Sequence, residues 1–259
     1  MASATGIPAR IPGATDTNLT DESEPLLGRP GDALQRPGDS LISNLWNGTG
    51  WIAQAGAFLL LALIWSSVFL NPLLPLFSPH PLLQSLGVFT VTQAILVLQP
   101  TWTPEEKVVG ARVHASLNLL SFLLFTAGVV MIEVNKFKSN GVHFHSAHGY
   151  LGVITAIALL VQYIFGFLMW GVPAVFGGVD NAKALWKYHR WSGYSLYILL
   201  LATVLSATGT DYNKNVLDIK LWAVVVAVVL TVLGVYPRIH KRKLGIDRWL
   251  AYWRGEDAS

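Results

Sequence analysis

The chain has 259 residues, of which 53% are hydrophobic and only 13% charged, and its formal net charge is +3. Soluble domains carry roughly 25% charged residues, so this composition indicates a membrane protein. Because the chain has no cysteine, disulfides, iron–sulfur clusters and thiolate zinc sites are excluded.

The first 50 residues are predicted to form a disordered cytoplasmic tail. Residues 1–40 are rich in Pro, Gly, Ser, Thr and Asp and lack periodic apolar positions, so they bury too little surface to offset chain entropy. Residues 22–27 resemble an acidic dileucine sorting signal of the vacuolar or lysosomal kind, a pattern short enough to arise by chance. The expected location is a vacuolar, endosomal or plasma membrane.

Six apolar segments follow, and each is interpreted as a membrane-spanning helix, for which about 20 apolar residues suffice. They are 51–70, 81–98, 113–132, 149–170, 191–209 and 221–236. Continuous apolar runs do not fit barrel strands, in which apolar and polar residues alternate. The sequence therefore predicts an all-α integral membrane protein with six transmembrane helices at 51–237 and a basic cytoplasmic tail at 238–259.

The basic residues predict the orientation, because Lys and Arg are retained on the cytoplasmic side of a membrane. With six spans both termini lie on one side, and four of the 18 Lys and Arg residues fall on the other: Lys136, Lys138, Lys214 and Lys220. Both termini are therefore expected in the cytoplasm. The basic residues lie beside apolar spans rather than in an aromatic-interleaved patch, so nucleic acid is not an expected partner.

Four histidines open four successive spans. His80 and His148 open the second and fourth spans at the exoplasmic side, and His114 and His189 open the third and fifth at the cytoplasmic side. Ionisable residues at membrane depth are costly and usually functional. Spans two to five are predicted to form a four-helix bundle around two haems, with two imidazoles for one iron at each end. Two axial histidines leave no site for oxygen, which favours electron transfer.

Two glycines support the haem hypothesis. Gly152 and Gly193 each lie four residues after a candidate ligand and so on the same helix face, where a missing side chain lets a flat macrocycle approach. The alternative is a histidine-lined metal or proton transporter without haem, and a third hypothesis is a membrane scaffold with incidental histidines. The spans carry no paired carboxylates and no clear inverted repeat, which disfavours a transporter.

Two further histidines, His143 and His145, precede the fourth span in the run HFHSAH. The spacing permits a surface metal or substrate contact. A plain polar loop is the preferred interpretation of this run.

Six motifs carry a family resemblance: HPLLQSLG at 80–87, ILVLQP at 95–100, GARVHASLN at 110–118, HFHSAHGYLG at 143–152, KALWKYHRWSGY at 183–194 and YPRIHKRKLG at 236–245. In order and spacing they resemble the cytochrome b561 family, and more closely its fungal members that lack an extracellular haem domain. The resemblance covers about residues 51–246. The chain departs from the family pattern at Gln84, where Met is frequent.

The resemblance implies an oxidoreductase with two haem b groups, held by His80 with His148 and by His114 with His189. It also implies a cytosolic reductant of the ascorbate type and an exoplasmic or lumenal acceptor, such as an oxidised ascorbate radical or a ferric chelate. Membrane lipid is a further partner, and a homodimer is one option.

The family's donor pocket uses cations beside the third and fifth spans, which here are Arg112, Lys183, Lys107, Lys187 and Arg190. Such a group of cations would hold an acidic enediol and favour its deprotonation. An equally weighted interpretation is that these residues only set the topology.

Overall fold

The computed structural model describes residues 33–36 and 38–244, and this part of the chain contains helices and no strands. The α-helices are α1 (Gly50–Phe69), α2 (Pro79–Leu98), α3 (Pro104–Ser139), α4 (Ala147–Gly171), α5 (Val179–Ala207), α6 (Leu221–Val235) and α7 (Lys241–Leu244). Short 3-10 helices lie at Leu41–Leu45, Pro173–Phe176 and Tyr236–Arg238, and a π-helical turn lies at Asn213–Leu217.

The predicted spans are all helical, which confirms the all-α membrane fold. Among the described residues, α1 to α4 and α6 are long and apolar enough to cross a membrane. Helix α5 covers all but the last two residues of the fifth predicted span at 191–209, and its 29 residues exceed the roughly 20 that a bilayer requires. Its first half carries Lys183, Lys187 and Arg190, which shorten its continuous apolar stretch.

Helix α3 begins before and ends after its predicted span at 113–132. At its start the Thr103 hydroxyl accepts a hydrogen bond from the Glu106 N–H at 3.2 Å, and the Glu106 carboxylate accepts one from the Thr103 N–H at 3.1 Å. This capping box satisfies two otherwise unpaired donors. At its end Asn140 adopts a left-handed conformation with φ of +50°, which commonly terminates helices. Both caps lie outside the apolar part of α3, so hydropathy alone underestimates the length of the helix.

The long helices pack as three neighbouring pairs. Helix α2 lies along α3, α4 along α5, and α1 along α6, while α1 also contacts α2 and fewer contacts join α3 to α4. The main hydrophobic cluster includes Leu60, Leu96, Leu201 and Val228 from α1, α2, α5 and α6. The pair α1–α6 therefore flanks the bundle of α2 to α5 that carries the four candidate histidines.

Residues just before α1, which fall in the predicted tail at 1–50, pack against the end of α2. The buried Asn44 side chain donates hydrogen bonds to the Val97 carbonyl at 2.9 Å and to the Gln35 side chain at 2.8 Å. The Gln35 N–H donates to the Pro100 carbonyl at 3.0 Å. These bonds hold the segment against the end of α2. Residues 1–32 and 37 lie outside the described residues.

Arg238, the first residue of the predicted basic cytoplasmic tail at 238–259, packs against the helices. Only 2% of it is exposed, and its Nη2 donates to the Asn44 carbonyl at 2.7 Å and to the Leu96 carbonyl at 3.1 Å. The last carbonyls of a helix lack hydrogen-bond partners within the helix and lie at the negative end of its dipole. A cation there donates the missing hydrogen bonds and interacts favourably with the dipole. Lys243 acts similarly, with its Nζ donating to the carbonyls of Gln99 and Thr101 at 3.0 and 2.9 Å. Residues 245–259 lie outside the described part.

Candidate functional site

His80 of α2 and His148 of α4 face each other at one end of the bundle. Their ring centroids are 6.2 Å apart and their planes cross at 78°. Two imidazoles that bind one metal ion from opposite sides, through bonds of about 2 Å, have centroids roughly 6 Å apart. The measured distance therefore fits a shared metal ion between the two rings.

Main-chain carbonyls orient three of the four candidate ligands. The Nδ1 atom of His80 lies 2.9 Å from the Gly128 carbonyl, that of His148 lies 3.0 Å from Thr203, and that of His114 lies 2.7 Å from Ala94. A carbonyl only accepts hydrogen bonds, so each of these Nδ1 atoms carries the proton and each Nε2 keeps its lone pair. Metal-binding histidines typically donate their other ring N–H in this way.

His189 of α5 differs from the other three histidines. It lies near His114, at the opposite end of the bundle from His80. In place of a main-chain carbonyl, the Gln162 side-chain amide nitrogen lies 3.0 Å from its Nδ1 and 3.4 Å from its Nε2. A Cβ atom at Gly166 would lie 2.8 Å from the His189 ring, so a glycine lets this ring rest against α4.

Gln162 and Gly166 were missed by the sequence analysis, although the sequence carries a signal for both. Gln162 is the one amide side chain in α4, and Gly166 follows it by four residues on the same helix face. An isolated amide in an apolar span needs a polar partner. That requirement points to a neighbouring polar side chain but does not identify which one.

The two predicted glycines have different surroundings. A Cβ atom at Gly152 would meet no described atom within 4 Å, whereas one at Gly193 would lie 3.0 Å from the Gln162 side-chain nitrogen. Gly152 therefore leaves open space one helical turn after His148. The space at Gly193 accommodates the Gln162 amide, which differs from the role predicted for it.

The five predicted donor residues have different surroundings. Lys183 lies 3.7 Å from the Asp180 carboxylate at the exposed start of α5, and the Lys187 ammonium lies 4.8 Å from the Tyr188 ring centroid. Arg112 is exposed on α3. Lys107 and Arg190 instead lie near Lys243 of the C-terminal segment.

Lys107, Arg190 and Lys243 form a basic cluster where the C-terminal segment passes the end of α2 and the middle of α5. Arg190 Nη1 donates to the Lys243 carbonyl at 2.5 Å, and the Trp191 ring N–H donates to the Leu244 carbonyl at 3.2 Å. Burial, together with the charges of Lys107 and Arg190, lowers the pKa of Lys243 to about 8. Lys243 was counted only as a topology signal, because it lies 53 residues after Arg190. Three neighbouring cations favour an anionic ligand.

His143 and His145 diverge in the loop before α4. His143 Nδ1 lies 3.1 Å from a Glu133 carboxylate oxygen, and its ring packs against Phe137 with centroids 5.2 Å apart. His145 Nδ1 lies 2.9 Å from the Val142 carbonyl of its own loop. Within the described residues, no three His, Asp or Glu side chains converge as metal ligands. The structure therefore gives no support to a metal site in the run HFHSAH.

Comparison with known proteins identifies a family. A family model for eukaryotic cytochrome b561 matches residues 79–215, about half of the chain. A probable ascorbate-specific transmembrane electron transporter of Oryza sativa is 28% identical over 131 residues, which are 49% of this chain and 54% of that protein.

Two mammalian proteins are similarly related. A plasma membrane ascorbate-dependent reductase of Mus musculus is 29% identical over 135 residues, which are 50% of this chain and 44% of the relative. A lysosomal membrane ascorbate-dependent ferrireductase of Homo sapiens is 25% identical over 133 residues, which are 51% of this chain and 54% of the relative. The chain thus spans about half the length of the curated relatives it matches.

Proposed function

Because the chain belongs to the eukaryotic cytochrome b561 family, we propose that it transfers electrons across a membrane through two b-type haems. Proteins of this family bind haem b. The observation that carries the proposal is the pair His80 and His148. Their ring centroids lie 6.2 Å apart, and each Nδ1 lies within hydrogen-bond distance of a main-chain carbonyl. His80 with His148 would hold one haem and His114 with His189 the other. Haems with two axial histidines pass single electrons and offer no site to oxygen.

The donor side is proposed to be the basic cluster of Lys107, Arg190 and Lys243. An ascorbate-like reductant is an acidic enediol, and neighbouring cations favour its anionic form. Lys107 lies at the start of α3, while Arg190 directly follows His189, so a bound anion would lie beside the second histidine pair. The relatives named as ascorbate-dependent support this class of donor. By the distribution of basic residues, this end faces the cytosol.

The acceptor side is proposed to lie at the His80 end, facing the lumen or exoplasm. The Lys136 side chain is 20% exposed, lies within electrostatic range of His80 and His148, and is 3.8 Å from Glu133. An oxidised ascorbate radical or a ferric chelate is anionic, and a partly buried cation beside the haem-binding histidines would attract it. His143, bound to the same Glu133, would line the approach. Vacuolar, endosomal and plasma membranes are the proposed locations.

The visible spectrum and haem content of the purified protein test the proposal. A reduced b-type absorption band with about two haems per chain is expected. His80→Ala and His148→Ala should each remove one and the same haem, because each leaves the other imidazole without its partner. His114→Ala and His189→Ala should each remove the second haem. The exposed His145→Ala variant is the control and should retain both.

Two results would contradict the proposal. A colourless protein after expression with ample haem would favour the histidine-lined transporter instead. If His114→Ala lost the same haem as His80→Ala, the two ligand pairs would be wrong.

A further inference from the structure

The surroundings of His189 differ in kind from those of the other three candidate ligands. Three histidines have a main-chain carbonyl at Nδ1, which can only accept a hydrogen bond. At His189 that position is taken by the side-chain amide of Gln162, at 3.0 Å. A primary amide carries both an acceptor oxygen and a donor nitrogen and can present either by turning about its last bond. The proton on His189 is therefore set by a side chain that can turn.

The contacts of Gln162 favour one of these two orientations. Its amide nitrogen also donates to the His189 main-chain carbonyl at 2.9 Å, and its oxygen accepts from the Ser192 hydroxyl at 2.7 Å. In this orientation Nδ1 accepts a hydrogen bond, and the ring proton lies on Nε2. An iron ligand instead needs its lone pair on Nε2, so the amide must present its oxygen to Nδ1. Ser192 fits both orientations, because a hydroxyl donates and accepts. The turned amide oxygen must also move away from the His189 main-chain carbonyl, which accepts from the amide nitrogen in the present orientation.

We propose that Gln162 is the positioning residue for His189: its amide fixes the orientation and the proton of that imidazole and thereby sets the reduction potential of the cytosolic haem apart from that of the exoplasmic haem. This inference rests on the proposed function. Hydrogen bonding to the outer nitrogen of a ligand histidine changes its basicity, and basicity changes the potential of the iron. At the cytosolic haem one of the two ligands would be oriented by a side chain, whereas both ligands of the exoplasmic haem would be oriented by the backbone.

Two substitutions at this position have opposite expected effects. In Gln162→Glu, a carboxylate accepts a charge-assisted hydrogen bond from Nδ1, which makes the imidazole more basic and stabilises oxidised iron, so the potential falls. In Gln162→Leu, a side chain of similar size accepts nothing, so the potential rises. Each change should alter the one-electron equilibrium of the cytosolic haem more than tenfold, which is about 59 mV.

The experiment is a redox titration of the full-length, haem-loaded protein, with the low-spin electron paramagnetic resonance signals of the two haems recorded alongside. Ser192→Asp is the control for charge, since it places a carboxylate near the same imidazole without a direct bond to Nδ1. Gln54→Leu is the control for loss of a buried amide, because Gln54 pairs with the Gln93 side chain between α1 and α2.

The inference is supported if the two Gln162 variants shift the potential of the cytosolic haem in opposite directions and alter its resonance signal. The shift in Gln162→Glu should also exceed that in Ser192→Asp. Loss of the cytosolic haem in Gln162→Leu but not in Gln162→Glu would also support it. The inference would be overturned if Gln162→Leu and Gln162→Glu lost the cytosolic haem equally, or if both shifted its potential in the same direction. Equal shifts in Gln162→Glu and Ser192→Asp, or unchanged potentials, would also overturn it. A wild-type protein without haem would contradict the proposed function itself, before any variant is compared.

Discussion

A histidine that binds a metal ion through Nε2 must keep its proton on Nδ1, and three main-chain carbonyls favour that state here. The positions of His80, His114, His148 and His189 were predicted from the sequence, because each opens an apolar span. Their hydrogen-bond partners were not predicted, since the Gly128 carbonyl lies 48 residues from His80 and Thr203 lies 55 residues from His148. At the residue scale, the sequence indicated candidate ligands, and packing determined how each is oriented.

Gly152 allows a direct test of where a haem would lie. A Cβ atom at this position meets no described atom within 4 Å, and Gly→Ala within a helix normally stabilises by about 0.5–1 kcal/mol. Gly152→Leu should therefore leave the haem-free fold intact but lower the haem content at the His80/His148 pair by at least half, because the side chain fills the space proposed for the macrocycle. Haem-to-protein ratio and reduced spectra measure this.

Gly149→Ala is the matched control for Gly152, since its Cβ would lie 3.6 Å or more from neighbouring atoms. It should bind haem as the wild type does. Full haem content in Gly152→Leu would show that the macrocycle does not lie over this residue.

At the scale of elements, the C-terminal end of α2 organises the basic end of the molecule. Its carbonyls accept hydrogen bonds from Arg238 and Lys243, which come from the far end of the chain. Hydropathy locates the apolar core of α2 and places both cations only in a basic cytoplasmic tail. A charged residue after a span is normally solvated, and only the packing of the C-terminal segment shows that these two are bound to α2.

The rate of haem reduction by ascorbate should fall as the pH rises through about 8. Burial and the cations Lys107 and Arg190 lower the pKa of Lys243 to about 8, below the roughly 10.4 of free lysine. The native protein therefore loses this charge between about pH 7 and 9, and its attraction for an anionic donor weakens. Stopped-flow reduction measured across this range tests the expectation.

In Lys243→Gln, reduction by ascorbate should be several-fold slower at pH 7 and should lack the step near pH 8. Reduction by an uncharged reductant should be unaffected. The control is Lys220→Gln, whose side chain pairs with Asp218 at 2.6 Å in the loop before α6. An identical pH profile in Lys243→Gln and wild type would exclude Lys243 from the donor site.

The whole molecule consists of a histidine-bearing bundle with the pair α1–α6 at its side. These two helices approach at backbone distance: a Cβ atom at Gly56 would lie 2.5 Å from the Thr231 main-chain nitrogen, and one at Gly234 would overlap the Ala53 main chain. Small residues permit this close packing, on which helix association in membranes depends. The pair therefore supports the bundle through contacts with α2 and contributes none of the four candidate ligands.

Gly234→Leu should destabilise the protein without removing haem. The added side chain forces α1 and α6 apart, and overpacking costs about 3 kcal/mol, so the thermal midpoint in detergent should fall by several degrees. The haem-to-protein ratio of the folded fraction should stay unchanged, because both ligand pairs lie in α2 to α5. Gly209→Ala is the control, since its Cβ meets only the Ser206 carbonyl at 3.5 Å. An unchanged midpoint in Gly234→Leu would show that the helix contact is not tight.

The sequence by itself determined the class of protein, the six apolar spans and the placing of one histidine at the start of each of four of them. The apolar spans depend on runs of neighbouring residues, which are local in the sequence. The direction of each helix follows from the number of spans that precede it. Only the tertiary structure decided that Gln162 contacts His189, that Lys243 joins Lys107 and Arg190, and that Arg238 is buried. Those contacts join residues that lie far apart in the chain, and a charge or an amide is buried only when helices pack around it.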